Sequence, residues 1–137
     1  MPPLSILVID DNIQFGTLLT RICAGVGHTV AQVSNPWEIF ERYNEQAPDI
    51  VFLDIFMPAL NGIEVARWLT EKRFNGKLIF MTGYHPDFLS AARLSVEQQT
   101  DAVVTTLEKP ARVEQILGVI GGGSARSEKM PLGEFPR

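Results

Sequence analysis

The stretch FLDIFMPALNG, residues 52–62, decides how this chain is read. Ile50, Val51, Phe52 and Leu53 form an apolar run suited to a buried strand, and Ile55 and Phe56 continue its character. Between them stands Asp54, a carboxylate that costs several kcal/mol to bury without a partner. Pro58 stops any strand, and Asn61-Gly62 makes a turn. The carboxylate therefore sits where a buried strand gives way to a tight loop.

Outward from this stretch the chain alternates between two patterns. Strand-like runs are expected at Leu4–Asp10, Thr29–Ser34, Ile50–Asp54, Lys77–Thr82 and Ala102–Leu107, all containing the β-branched residues that suit a pleated surface. The first, third and fourth are nearly continuous apolar runs, as in strands covered on both faces. Helical spacing relates Ile13, Leu18, Ile22 and Val26, with Gly25 and Gly27 able to end that helix. Asn35-Pro36 reads as a cap and first-turn proline for a helix running to about Gln46. Ile63, Ala66 and Leu69 mark a third helix that Asn75-Gly76 can close. Pro86 can open a fourth, and residues 113–120 form a short fifth. This βα alternation predicts a parallel sheet with helices on both faces. No internal repeat is present. From residue 121 the composition shifts to GGGSARSEKMPLGEFPR, so the division is a folded unit at 1–120 and a linker or tail at 121–137.

Composition narrows the function classes. A chain of 137 residues, 45% hydrophobic and 20% charged, suits one soluble domain. Its net charge of −4 argues against direct nucleic-acid binding, which needs a basic surface. The single cysteine, Cys23, leaves no intrachain disulfide or multi-cysteine metal site, and reads as a core residue. MPPLSILVIDD has no basic n-region and no segment reaches membrane-spanning length, so a cytoplasmic location is expected, with no membrane partner. His28 and His85 read as loop residues, Trp37 and Trp68 as packing or partner contacts on helices, and Met81 as core.

In open parallel sheets, functional residues collect beyond the carboxyl ends of the strands. There the first strand delivers Asp10 and Asp11, the third Asp54, the fourth Thr82 and Gly83, and the fifth Lys109 and Pro110. Clustered carboxylates repel unless protonated or bridged by a cation, and all-oxygen ligation is what Mg²⁺ prefers. Asp54, with one oxygen free, is then a nucleophile toward phosphorus, and Lys109 and the metal would offset charge on the phosphoryl oxygens. Thr82 and the N–H groups of Phe56 and Gly83 can donate hydrogen bonds. Each residue alone has a plainer reading: Asp10-Asp11 as a helix cap, Lys109 as a surface lysine, Thr82 as an ordinary strand residue. Their joint arrival at one sheet edge outweighs these.

The acidic pair Asp10-Asp11, Asp54 with Met57-Pro58 and Asn61-Gly62, Thr82, and Lys109-Pro110 resemble, in order and spacing, the response-regulator receiver domains of two-component signalling. The resemblance covers roughly residues 4–120. It implies a flavodoxin-like, doubly wound sheet of order 2-1-3-4-5, the order that also describes the chemotaxis member of the family. It implies a phosphoryl group accepted on Asp54 from a histidine kinase or histidine phosphotransfer protein, and a downstream protein target. Mg²⁺ would be ligated by Asp11, Asp54 and the carbonyl of Phe56, with Asp10 acting mainly through water. The family often holds the Lys-Pro bond cis. Such a domain is not an enzyme in its own right, catalysing only its own phosphorylation and dephosphorylation.

Two features depart from the family pattern. The position three before the lysine, usually aromatic, is Thr106, so the ring that normally swings with the threonine is missing. Tyr84 belongs to a different loop. The segment between Thr82 and Lys109 is several residues longer than usual, which points to a shifted fourth helix and leaves a homodimer open. Phe56, large and apolar beside Asp54, is expected to hinder hydrolytic water and lengthen the phosphorylated lifetime. Three rivals remain. A receiver-like interaction domain that is never phosphorylated is favoured only by Thr106. A haloacid-dehalogenase-type phosphohydrolase would need an aspartate at Asn12 and a cap domain. A flavin module would need a Gly/Ser/Thr-rich loop after the first strand. The domain either stands alone or forms part of a longer protein.

Overall fold

The computed structural model describes residues 2–57, 61–83, 93–94 and 96–121. Five parallel strands, β1 (Ser5–Ile9), β2 (Thr29–Val33), β3 (Ile50–Asp54), β4 (Lys77–Thr82) and β5 (Val103–Glu108), form one sheet of order 2-1-3-4-5. The helices α1 (Ile13–Gly25), α2 (Ile39–Glu45), α3 (Gly62–Glu71) and α4 (Val113–Gly121) pack on its two faces. This is the expected doubly wound fold. The helix expected to open at Pro86 lies largely outside the described residues, within which 93–94 and 96–97 are helical. Pro58, Tyr84, His85 and the tail beyond residue 121 also lie outside them.

Strict alternation along the strands builds two cores. Leu7, Ile9, Val51, Leu53, Leu78 and Phe80 face one way, toward Ile39, Val65, Ala66 and Leu69 of α2 and α3. Ile6, Val8, Ile50, Phe52, Ile79 and Met81 face the other, toward Leu19 and Cys23 of α1 and Ile116 and Ile120 of α4. Every residue of β3 and β4 is buried, which explains their continuous apolar character. Cys23 is core, as expected, and burial pushes its thiol up to about 11. Met81 is fully buried. Trp68 lies half-buried on α3 with its ring edge-on to Phe40 at 4.7 Å and Tyr43 at 5.1 Å, whereas Trp37 is exposed.

Three local expectations are corrected. The buried stripe of α1 is Gly16, Leu19 and Cys23; of the expected stripe only Ile22 packs against the core, while Ile13, Leu18 and Val26 face solvent, at 60%, 41% and 51% exposure. The helix is oriented by Gln32 of β2, whose amide lies over Gly16 and donates to the Ile13 carbonyl and the Thr17 hydroxyl, both at 3.2 Å. α3 stops at Glu71, well before Asn75-Gly76, in a Schellman turn. Phe74 N–H donates to the Leu69 carbonyl and Arg73 N–H to the Thr70 carbonyl, both at 3.0 Å, with Arg73 at φ 62° where glycine is usual. Asn35 accepts from Trp37 N–H at 3.0 Å, but the chain first makes a 3₁₀ turn at Pro36–Glu38, and α2 starts only at Ile39. α1, by contrast, closes as its sequence suggests, with Gly27 at φ 102°.

Candidate functional site

The alternation that builds the α1–α4 core also aims the site. Asp10 continues the series Ile6, Val8 just past β1, Asp54 continues Ile50, Phe52, and Lys109 continues Leu107 just past β5. All three side chains therefore emerge on one face at the carboxyl edge of the sheet. Lys109 Nζ donates to Asp10 Oδ2 at 2.8 Å and lies 3.4 Å from Asp54 Oδ2. Asp10 is fully buried and Asp54 4% exposed, so both are charges the fold must partner. Asp11, exposed at the rim, completes a group of three carboxylates whose oxygens lie within 4.8 Å of one another.

Asp10 and Asp11 do not cap α1. Asn12 is the cap, accepting from Phe15 N–H at 3.1 Å, and Asp10 Oδ1 in turn accepts from Asn12 N–H at 2.9 Å. That leaves Asp10 Oδ2 for Lys109. The backbone frames the rest: Lys109 N–H donates to the Thr82 carbonyl at 3.0 Å, and the Lys109–Pro110 bond is cis. Thr82 ends β4 and is buried, while Phe56 is partly exposed. Asp11, Asp54, Phe56, Thr82 and Lys109 line one cleft of ≈ 570 Å³, joined by Asn12 and Phe15. Gly62 permits the close return of the loop after β3: its N–H donates to the Ile55 carbonyl at 3.0 Å, and a Cβ there would stand 2.6 Å from the Asp54 carbonyl oxygen and Ile55 Cα.

Burial, then the negative charge of Asp10, push the Asp54 carboxyl up from 3.8 to about 7, with Lys109 pulling the other way. A carboxylate held this reluctantly as an anion gains from any added positive charge. Hard oxygen donors at this spacing suit a small divalent cation. Thr106, half-buried on the edge strand β5, pairs with Phe80 and offers no ring to the site.

Comparison with known proteins agrees with this geometry. Residues 6–120 match the response regulator receiver domain family. The chain belongs to that family. Among relatives, it is 30% identical over 116 residues to the alkaline phosphatase synthesis transcriptional regulatory protein PhoP of Bacillus subtilis, covering 82% of this chain and 48% of that protein. It is 27% identical over 115 residues to the response regulator receiver protein CpdR of Brucella abortus, covering 84% and 92%. This receiver domain thus spans about half the length of PhoP and 29% of the transcriptional regulatory protein ZraR of Klebsiella oxytoca, to which it is 30% identical over 135 residues, 96% of this chain. Solved structures share the fold. A CheY-like receiver domain from Methanospirillum hungatei superposes with a TM-score of 0.78 at 22% identity, covering 95% of this chain and all of that one (100%). A response regulator from Burkholderia pseudomallei, solved with a phosphorylated aspartic acid, a calcium ion and citrate, gives 0.73 at 23% identity, covering 96% and 75%.

The structure brings the candidate metal and phosphoryl-site residues Asp10, Asp11, Asp54, Phe56, Thr82 and Lys109 together at this edge. Sequence reading missed Phe15, whose ring lies under the Lys109 ammonium at 5.0 Å from its centroid. Its position one turn after the acidic pair is the available signal, obscured by the helical spacing of Ile13, Leu18, Ile22 and Val26.

Proposed function

We propose that this receiver domain accepts a phosphoryl group on Asp54 from the phosphohistidine of a histidine kinase or phosphotransfer protein and signals by contacts with a downstream protein. The observation that carries the reading is the Lys109 ammonium set between two buried carboxylates, Asp10 and Asp54, with Asp11 beside them. Such an arrangement is expensive to fold, and a strongly perturbed carboxylate beside a lysine in an open cleft is the mark of a functional site. The phosphorylated aspartic acid and calcium ion in the Burkholderia pseudomallei neighbour support it.

In this reading Asp11, Asp54 and the carbonyl of Phe56 would hold Mg²⁺, with Asp10 acting through water, and when bound the ion neutralises charge on the carboxylates and phosphoryl oxygens. The free oxygen of Asp54 attacks phosphorus, the N–P bond of the phosphohistidine breaks, and its electron pair leaves on the imidazole nitrogen, which takes up a proton. Lys109 shifts from the carboxylates toward a phosphoryl oxygen, and the Thr82 hydroxyl donates to another. Phe56 at the cleft mouth restricts hydrolytic water. The domain acts in the cytoplasm, turns over only its own phosphoryl group, and touches neither nucleic acid nor membrane. No described helix is long and apolar enough to cross a membrane.

Incubation with Mg²⁺ and acetyl phosphate, followed by intact mass, tests this. Wild type gains one phosphoryl group and Asp54→Asn none. A wild type that stays unmodified even with a phosphohistidine donor would leave the second reading, a receiver-like interaction domain, for which Thr106 in place of an aromatic is the supporting feature.

A further inference from the structure

The Lys109 ammonium has a third neighbour that differs in kind from the two carboxylates. Phe15 rises from the first turn of α1, fixed there by its N–H to Asn12 Oδ1 at 3.1 Å, and its ring lies 5.0 Å from Lys109 Nζ. The ring packs against the α1–α4 core and lines the same cleft as Asp54 and Thr82. We propose that Phe15 is a positioning residue for Lys109, whose ammonium the ring face holds over the cleft while it passes from the carboxylates to the anion bound at Asp54. The inference rests on the phosphoacceptor reading above.

The physical case has three parts. The Lys109 side chain is only 14% exposed, and a cation is held more strongly over a ring when it is desolvated. A ring attracts the ammonium without offering a directed lone pair, so it does not compete with a phosphoryl oxygen for the N–H donors; a polar acceptor in its place would. A leucine or methionine would fill the space yet give no electrostatic hold. Asp10 is also arranged for release. Its Oδ1 stays bonded to Asn12 N–H at 2.9 Å, while Oδ2 alone engages Lys109. When the lysine turns to the anion, Asp10 keeps one partner, and the ammonium, no longer drawn to Asp10 Oδ2, settles closer over the ring, so that the ring contact is stronger in the anion-bound state than in the free one.

The test uses the full chain with Mg²⁺ and beryllofluoride, a mimic of the acyl phosphate, titrated against wild type, Phe15→Leu, Phe15→Tyr and site-specific ring-fluorinated phenylalanines at position 15. The fluorinated series conserves shape and weakens the ring face in steps, so folding is not at issue. Affinity is expected to fall stepwise with fluorination, to drop about three- to tenfold in Phe15→Leu, and to be restored in Phe15→Tyr, the range of a partly desolvated cation–ring contact. In parallel, NMR of the Lys109 side chain in the free protein should show an upfield ring-current shift that disappears in Phe15→Leu. Equal affinities across the series overturn the proposal even if the shift is present. A wild type that takes neither beryllofluoride nor phosphoryl group refutes the phosphoacceptor reading instead. The Lys109 shift then decides separately whether the ring holds the ammonium, its absence overturning that too.

Discussion

Replacing Asp54 with asparagine should stabilise the metal-free protein, and the gain should grow with pH. Burial and the charge of Asp10 raise the Asp54 carboxyl from 3.8 to about 7 in the folded state. A folded-state pKa above the unfolded one means the native protein binds the proton more tightly. Stability from this group is then complete below 3.8 and is lost as pH rises to and through about 7. At about 1.4 kcal/mol per unit, the wild type loses about 3 kcal/mol between about pH 5 and about pH 8 through Asp54. Asparagine has no proton to lose and shows none of this slope. It gives up the attraction of Lys109 at 3.4 Å, which offsets part of the gain. A net stabilisation of about 1–3 kcal/mol at about pH 8, shrinking toward zero near about pH 5, is expected. Urea unfolding of both proteins in chelator at the two pH values measures it. Adding Mg²⁺ should close the gap, because the cation binds the wild-type carboxylates and stabilises the folded state by mass action. A variant that is less stable at alkaline pH, or equally favoured at both, would show that Asp54 is not held as a reluctant anion.

Lys109→Met should cost about 3–5 kcal/mol in the same assay, because two buried carboxylates lose their cation, and distinctly less when Asp54 is already asparagine; a cost unchanged in that background would uncouple the pair. Gly62→Ala should destabilise by about 1–3 kcal/mol, since its Cβ would stand 2.6 Å from backbone atoms of Asp54 and Ile55, and a neutral result in thermal unfolding would mean that the loop after β3 can yield. Phe56→Asn should speed loss of the phosphoryl group about tenfold, a barrier change of ~1.4 kcal/mol, followed by mass spectrometry after removal of the phosphodonor; an unchanged lifetime removes Phe56 from control of water.

Much of the molecule was legible from residue patterns. Asp54 interrupting an apolar run, with Asp10-Asp11 and Lys109 at the ends of two other strands, is conspicuous because local physics forbids an unpartnered charge in such a place. The strands are legible to within a residue, β1, β3 and β4 through their unbroken apolar runs and the edge strands β2 and β5 through their β-branched residues. Helix faces were less legible. Ile13, Leu18 and Val26 are apolar and helically spaced, yet they face solvent, while Gly16 and Cys23, weak hydrophobic signals, face the sheet. The stripe that won is the one that buries Leu19 and Cys23 against the sheet, and the Gln32 amide of the neighbouring strand fits that rotation by occupying the space Gly16 leaves. Likewise Arg73 takes the left-handed turn usually given to glycine, where it lies 3.1 Å from Asp101 and lets Phe74 fold back onto the core.

By itself, then, the sequence determined the alternation of strands and helices, the sheet class, and the identity of the residues at its carboxyl edge, because periodicity and charge placement are properties of the chain in order. Only the tertiary structure decided which oxygen of Asp10 meets Lys109, how far burial loads the Asp54 carboxyl, and that the ring of Phe15 underlies the ammonium. Those depend on distances and desolvation between segments as far apart in sequence as α1 and the end of β5, which exist only after the two faces of the sheet are covered.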